Sequence, residues 1–288
     1  HISRTCTLNH PKTEGNLIMT DKNRAIGVFD SGVGGLTAVK ELVKLLPCED
    51  IIYLGDTARV PYGTKSRETI EKYAKQDFDF LKKFGVKMII SACGTVSSVL
   101  ASGFDFGEGL YTGVIVPAVD AAIAATSNRR IGIIGTGATI RSGSYRALIK
   151  QKLPDAQVFE KACPMFVPLV ENGYIGTDCS PCVEIAKEYL LPLRDEGIDT
   201  LILGCTHYPI IWDVISMIMG SDVKLISSGG EAGKYAYKVL KQNNLLNDST
   251  QPGRITLYCT DSTELFKENA EHFLDGIDKI EVKSCVLE

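Results

Sequence analysis

Val86-Lys-Met-Ile-Ile-Ser-Ala-Cys-Gly-Thr95 and Thr200-Leu-Ile-Leu-Gly-Cys-Thr-His207 decide the fold. Each is a short apolar run that leads into a cysteine flanked by glycine. Runs of this length without polar alternation read as parallel strands buried on both faces. In open α/β sheets, ligands bind beyond the carboxyl ends of such strands. The pattern therefore brings two thiols, Cys93 and Cys205, to one kind of place. Acid/base groups on opposite sides of a small substrate are what inversion of a stereocentre requires.

Outward from these runs, strands alternate with helical patterns. Strands are expected at Ala25–Phe29, Ile51–Leu54, Gly113–Val116, Arg130–Gly135, Val223–Ile226 and Ile255–Cys259. Helices are expected at Leu36–Leu46, Arg67–Phe84, Ala118–Thr126, Ser142–Lys152, Ser180–Leu193, Glu231–Asn243 and Ser262–Phe273. This alternation implies βαβ units. The expected architecture is α/β, with two similar domains built on mostly parallel sheets and an active site in the cleft between them. The first domain is expected to combine residues 24–116 with 228–288, and the second to span 117–227. Residues 1–23 are polar and aperiodic, and are expected to be an extension outside the fold.

The chain has 288 residues, 44% of them apolar and 23% charged, which is the balance of a globular protein. A net charge of −4 without a long basic run gives no footprint for nucleic acid. No apolar stretch reaches membrane-spanning length. Nine cysteines at irregular spacing do not form a disulfide framework and fit free thiols in a reducing cytoplasm. Cys179-Ser-Pro-Cys182 has the spacing of a redox or metal motif but lacks a second Cys/His pair, so it reads as coincidence and no metal is expected. No motif implies a cofactor.

A lone cysteine at a strand end most often packs into the core; two at matched ends, each with a threonine within two residues, shift the balance toward chemistry. Thr95, Thr206 and nearby backbone N–H groups are placed to favour a thiolate. His207, two residues beyond Cys205 and on the same face of an extended strand, can tune that thiol or reprotonate it, or it can be a satisfied structural histidine. Asp30-Ser-Gly-Val-Gly-Gly35 is a tight turn whose backbone can approach a carboxylate. It also admits a dinucleotide reading with Asp56, weakened by Thr37 in the third glycine position. Thr136 and Thr139 follow a strand where hydroxyls can bind a carboxylate. Glu171 reads, from burial tendencies alone, as an exposed carboxylate.

The ordered segments Gly27-Val-Phe-Asp-Ser-Gly-Val-Gly-Gly-Leu36, Gly55-Asp-Thr-Ala-Arg-Val-Pro-Tyr-Gly63, Ala92-Cys93, Ile133-Ile-Gly-Thr136 with Arg141-Ser-Gly143, Ala162-Cys-Pro164 with Phe166-Val-Pro-Leu-Val-Glu171, and Leu203-Gly-Cys-Thr-His-Tyr-Pro209 together resemble the glutamate racemases of the cofactor-independent aspartate/glutamate racemase superfamily. The resemblance covers most of residues 24–230. It implies proton transfer at the α-carbon of glutamate without pyridoxal phosphate, supplying D-glutamate for peptidoglycan in the bacterial cytoplasm. Cys93 would serve the D-isomer and Cys205 the L-isomer, assisted by Asp30, His207 and Glu171. Asp30, Ser31, Pro61, Tyr62, Gly63, Gly94, Thr95, Thr136, Thr139, Thr206 and His207 would hold the substrate. A homodimer is the expected assembly.

Three positions depart from the family's pattern. Gly94 stands where asparagine is common, Ile226-Ser-Ser-Gly229 where an aspartate is common, and Val116 where glutamate is frequent. At Gly94 the missing amide is expected to leave a gap that a water or Ser97 or Ser98 can fill, with Gly94→Asn tolerated. The alternatives are an aspartate racemase of the same superfamily, a nicotinamide-dependent dehydrogenase, and a non-catalytic amino-acid-binding module.

Overall fold

The structure, a computed structural model, describes residues 22–100, 109–274, 276–277 and 280–287. The extension expected over residues 1–23 therefore lies, apart from its last two residues, outside the described residues.

The chain opens with β1 (Ile26–Asp30), α1 (Leu36–Leu45), β2 (Ile51–Gly55), α2 (Arg67–Lys82), β3 (Met88–Ser91), α3 (Gly94–Leu100) and β4 (Leu110–Gly113). Next come α4 (Ile115–Ala125), β5 (Arg130–Gly135), α5 (Gly137–Ser142), α6 (Ser144–Lys152), β6 (Gln157–Ala162), α7 (Phe166–Glu171), α8 (Ser180–Asp195), β7 (Thr200–Leu203), α9 (Trp212–Met219) and β8 (Lys224–Ser227). The chain ends with α10 (Ser228–Gln242), β9 (Ile255–Cys259), α11 (Thr263–Phe273) and β10 (Ile280–Ser284).

Two sheets result, one ordered β10-β9-β2-β1-β3-β4 and the other β6-β5-β7-β8. All the pairings are parallel. The apolar runs that led to this fold become β3 and β7, buried along their whole length. In the first sheet the chain runs from β1 outward to β2, then returns to place β3 on the other side of β1. In the second, β6 and β7 flank β5 in the same way. Strand order thus reverses between β1 and β3 and again between β5 and β7, where α/β sheets open a crevice at their carboxyl ends. The residues following those strands are Ser31, Cys93, Thr136 and Cys205 or their immediate neighbours.

The chain crosses between sheets through α4 and returns through α10, and these helices pack on one another. Gly229, on α10, brings that helix against α1: a Cβ there would lie 3.0 Å from the Cβ of Ala38. α10 begins at Ser228 and not at Glu231 because Ser227 caps it, its Oγ accepting from the Gly230 N–H at 3.2 Å.

Several expectations shift. The strand expected at Gly113–Val116 is β4, which ends at Gly113, and Pro117 lies in the first turn of α4, where its missing N–H costs no helical bond. The helix expected over Ser142–Lys152 is interrupted at Gly143, whose φ of 62° ends α5 and starts α6. Six elements were not anticipated. These are the helices α3, α5, α7 and α9, and the edge strands β6 and β10, whose polar residues mask their pattern. No helix among the described residues is long and apolar enough to cross a membrane.

Candidate active site

The carboxyl ends of the two sheets enclose a cavity of about 390 Å³ lined by both Cys93 and Cys205. Its wall also includes Ser31, Gly32, Pro61, Gly63, Gly94, Thr95, Thr136, Thr206, His207 and Glu171. Both sulfurs are free thiols.

Cys93 lies two residues beyond the end of β3 and immediately before α3. Its Sγ donates to Ser31 Oγ at 3.6 Å. Burial pushes the thiol up to about 12, and the nearby Asp30 charge adds to the rise. Asp30 closes β1 and is buried. Its carboxylate accepts from the Gly32 N–H at 2.9 Å, from Ser31 Oγ at 3.5 Å and, across the cleft, from Thr206 Oγ1 at 3.5 Å. Burial raises the Asp30 carboxyl, against the opposing pull of the Gly32 N–H and the His207 charge.

Cys205 has the opposite electrostatic setting. Its Sγ lies 3.9 Å from His207 Nδ1, and His207 Nε2 lies 2.9 Å from Glu171 Oε1. Burial disfavours charge on the imidazole, but the hydrogen bonds and charges of Cys205 and Glu171 outweigh it and carry His207 up to about 10. This setting favours the imidazolium, in which both nitrogens donate, one toward the sulfur and one to the carboxylate. An adjacent imidazolium supplies the counter-charge a thiolate needs. Phe273 of α11 packs edge-on to the ring, with centroids 6.1 Å apart.

The remaining residues fall into place unevenly. Thr95, Thr136 and Thr139 form a chain of hydroxyls across the cleft, with Oγ1 separations of 3.1 and 3.0 Å. Thr136 also caps α5. Thr139 and Asp30 are buried behind the wall and act on the cavity through their neighbours. The Tyr62 hydroxyl bonds Asp56 and, at 3.2 Å, Asp77, so the phenol itself is committed away from substrate. Glu171, expected from its residue type to be a surface carboxylate, is half exposed yet paired with His207. Cys205 and His207 come together because the chain turns after Leu203, and not through strand alternation.

Gly94 overturns an expectation. A Cβ at this position would stand 2.3 Å from the Gly204 carbonyl oxygen, so backbone and not water occupies the place of the missing side chain. The dinucleotide reading of the first glycine turn also fails sterically. A Cβ on Gly34 would lie 2.4 Å from Thr206 Oγ1 and 2.5 Å from His207, so this turn packs onto the second domain. Asp56 is engaged by Tyr62, Arg59 and Thr260. The wall also holds Cys163, Pro164, Val167 and Pro168, which residue chemistry alone did not single out. Their only sequence signal was their place in the Ala162–Glu171 segment.

The model of the Asp/Glu/Hydantoin racemase family matches residues 26–232. The chain belongs to this family. It is 42% identical to a glutamate racemase from Geobacter metallireducens, over 88% of this chain and 93% of that one. Its fold is similar to that of a glutamate racemase isoform from Bacillus anthracis, with a TM-score of 0.85 and 37% identity over 92% of this chain and 98% of the other. It is also similar to the Francisella tularensis glutamate racemase solved in complex with D-glutamate, with a TM-score of 0.81 and 42% identity over 93% and 99% of the respective chains.

Proposed function

We propose that this protein is a glutamate racemase that interconverts L- and D-glutamate by proton transfer between two cysteines. The observation that carries the reading is the electrostatic difference between the thiols. Cys93 is buried beside a carboxylate, and burial first, with the Asp30 charge adding to it, favours the neutral thiol. Cys205 sits 3.9 Å from an imidazole held protonated. Inversion needs this pairing of one thiolate to remove the α-hydrogen and one thiol to deliver a proton to the opposite face.

By family analogy Cys205 takes the α-proton of L-glutamate while Cys93 protonates the other face, and the sulfurs exchange protonation states with each turnover. Asp30 shares the Cys93 end of this exchange and His207 the Cys205 end. The α-hydrogen is weakly acidic, so the carbanionic transition state requires fixed donors, for which the Thr95, Thr136 and Thr206 hydroxyls and the cleft's backbone N–H groups are available. Glutamate is favoured over aspartate because the relatives with high coverage are glutamate racemases, one of them holding D-glutamate. The product serves peptidoglycan synthesis in the bacterial cytoplasm, where the unpaired cysteines stay reduced.

The test is the circular dichroism of L-glutamate, with L-aspartate in parallel, after mixing with purified protein and no added cofactor. Ellipticity of the glutamate solution decays to zero. A signal that persists with glutamate refutes the reading, and decay with aspartate alone transfers it to the alternative substrate.

A further inference from the structure

The cavity wall over Val60–Thr64 comes from the first domain and reaches the second. Gly63 lies against Thr136, with 3.5 Å from a Cβ placed there to Thr136 Cβ, and its carbonyl accepts from Arg141 Nη2 at 3.5 Å. What holds this segment at its base is a buried polar cluster that no step of the proton transfer uses. The Tyr62 hydroxyl donates to Asp56 Oδ2 and lies 3.2 Å from Asp77 Oδ2. Arg59 donates to both carboxylates, through Nε to Asp56 and through Nη2 to Asp77 at 3.1 Å. Its guanidinium stacks 4.0 Å from the centre of the Tyr73 ring. Asp56 accepts a further bond from Thr260 Oγ1 at 2.9 Å. Both carboxyl side chains are fully shielded from solvent.

We propose that Asp77, together with Arg59, is a positioning residue for substrate binding, which through Tyr62 holds the Pro61–Gly63 backbone against the substrate; this rests on the racemase reading above. Hydrogen counting defines the state of the cluster. A phenol has one proton, and Tyr62 gives it to Asp56. The contact from Tyr62 oxygen to Asp77 is then a hydrogen bond only if Asp77 supplies the proton. With the extra proton on Asp77, Asp56 accepts throughout and Arg59 balances the one remaining negative charge. The direction agrees with burial and the Asp56 charge, which both push the Asp77 carboxyl well up. A buried polar chain of this kind is rigid when every member is satisfied and loses its hold when one is removed. Asp77 sits on α2 and is linked to the cavity wall through its contact with Tyr62.

The proposal separates binding from chemistry, and it distinguishes a protonated from an ionised Asp77. Asparagine mimics a protonated aspartate, donating N–H where the acid donates O–H. Asp77→Val, Asp77→Asn and Tyr62→Phe are compared with wild type by two readouts. The first is hydrogen exchange of the amides of residues 57–64 in the free protein. The second is the KM and kcat for glutamate. Asp77→Val and Tyr62→Phe speed the exchange and raise KM about tenfold, as loss of a buried hydrogen bond implies, with kcat within about threefold. Asp77→Asn stays close to wild type in both. Unchanged exchange and KM in the first two variants overturn the proposal, as does a kcat loss at constant KM. Damage by Asp77→Asn equal to that by Asp77→Val overturns the assignment of the proton. If Asp77→Val does not fold, Tyr62→Phe decides. A wild-type protein that fails to racemise glutamate refutes the enzymatic reading alone, and the exchange measurement still decides whether Asp77 holds the segment.

Discussion

Gly94 and Gly204, each adjacent in sequence to one of the two cavity thiols, meet backbone to backbone: a Cβ on Gly94 would stand 2.3 Å from the Gly204 carbonyl oxygen. Gly94 does not occupy a left-handed conformation. The demand for glycine is therefore one of space and not of torsion. This contact sets how closely the turn after β3 approaches the turn after β7, and with it the approach of Cys93 to Cys205.

Gly94→Ala tests that relationship most cleanly, and Gly94→Asn tests it with a larger side chain. Backbone cannot give way as a flexible side chain does, so the cleft must open or the variant must bear strain of about 1–3 kcal/mol. Racemisation by both variants is expected to fall at least about tenfold, with the asparagine variant the worse of the two. Steady-state kinetics alongside thermal unfolding check this. Wild-type activity in Gly94→Asn would show that the two turns separate without consequence.

Cys93→Ala and Cys205→Ala each remove one of the two proton carriers, and a positioned acid or base is worth about 10²–10⁴-fold. L- and D-glutamate have equal free energy in water, so kcat/KM must fall equally from both sides and cannot reveal which thiol serves which face. Exchange in deuterated water can. Cys93→Ala is expected to exchange the α-hydrogen of L-glutamate without inverting it, as followed by nuclear magnetic resonance. Full racemisation by either variant would end the two-thiol reading. Cys163 also lines the cavity, but burial pushes its thiol up and its sulfur faces the Lys161 carbonyl. Cys163→Ala should retain the chemistry.

The His207 pair predicts a pH dependence. Its folded value of about 10 lies above the ordinary imidazole value of about 6.5, because Cys205 and Glu171 outweigh the cost of burial. A raised value means stabilisation that is complete below about pH 6.5 and lost as pH rises through about 10. Activity is expected to show an alkaline limb near that value. Glu171→Gln removes one supporting anion, so the limb moves to lower pH, and the stability difference from wild type narrows as pH rises. Profiles of kcat/KM and of the unfolding midpoint measure both effects. A limb unmoved by Glu171→Gln would show that another group controls it.

Far from the cleft, Lys87 and Glu49 form an ion pair with almost no solvent exposure. Lys87 Nζ also donates to the Lys22 carbonyl at 2.6 Å and to the Leu245 carbonyl at 2.8 Å, while Glu49 accepts from the Asn247 N–H at 2.9 Å. Lys87→Met leaves the carboxylate buried without its partner. The expected loss is about 3–5 kcal/mol in denaturant unfolding, the cost of an uncompensated buried charge. A loss below about 1 kcal/mol, the range of exposed pairs, would mean that water reaches the site.

The parallel α/β character was legible because β1, β3, β5 and β7 are central strands, apolar on both faces, and a short uninterrupted apolar run is a strong local signal. The edge strands β6 and β10 escaped because half of an edge strand meets solvent and its residues turn polar. At the site, Cys93 and Cys205 could be found from chain position alone, since a residue just beyond a buried parallel strand is already at the sheet's binding edge. The glycine turn after β1 was equally visible, but its meaning was not. Only the packing of Gly34 onto Thr206 and His207 separates it from a dinucleotide turn.

Sequence by itself thus determined which residues end the buried strands, because burial is written into local composition. Tertiary structure decided what each end faces. It set Cys93 beside Asp30 and Cys205 beside His207, turned the Tyr62 hydroxyl away from the cavity, paired Glu171 with the imidazole and closed Gly94 onto Gly204. Those partners lie on segments far apart in the chain, and charge, hydrogen bonding and steric contact act through space over a few ångströms. No local pattern encodes them until the two sheets are brought together.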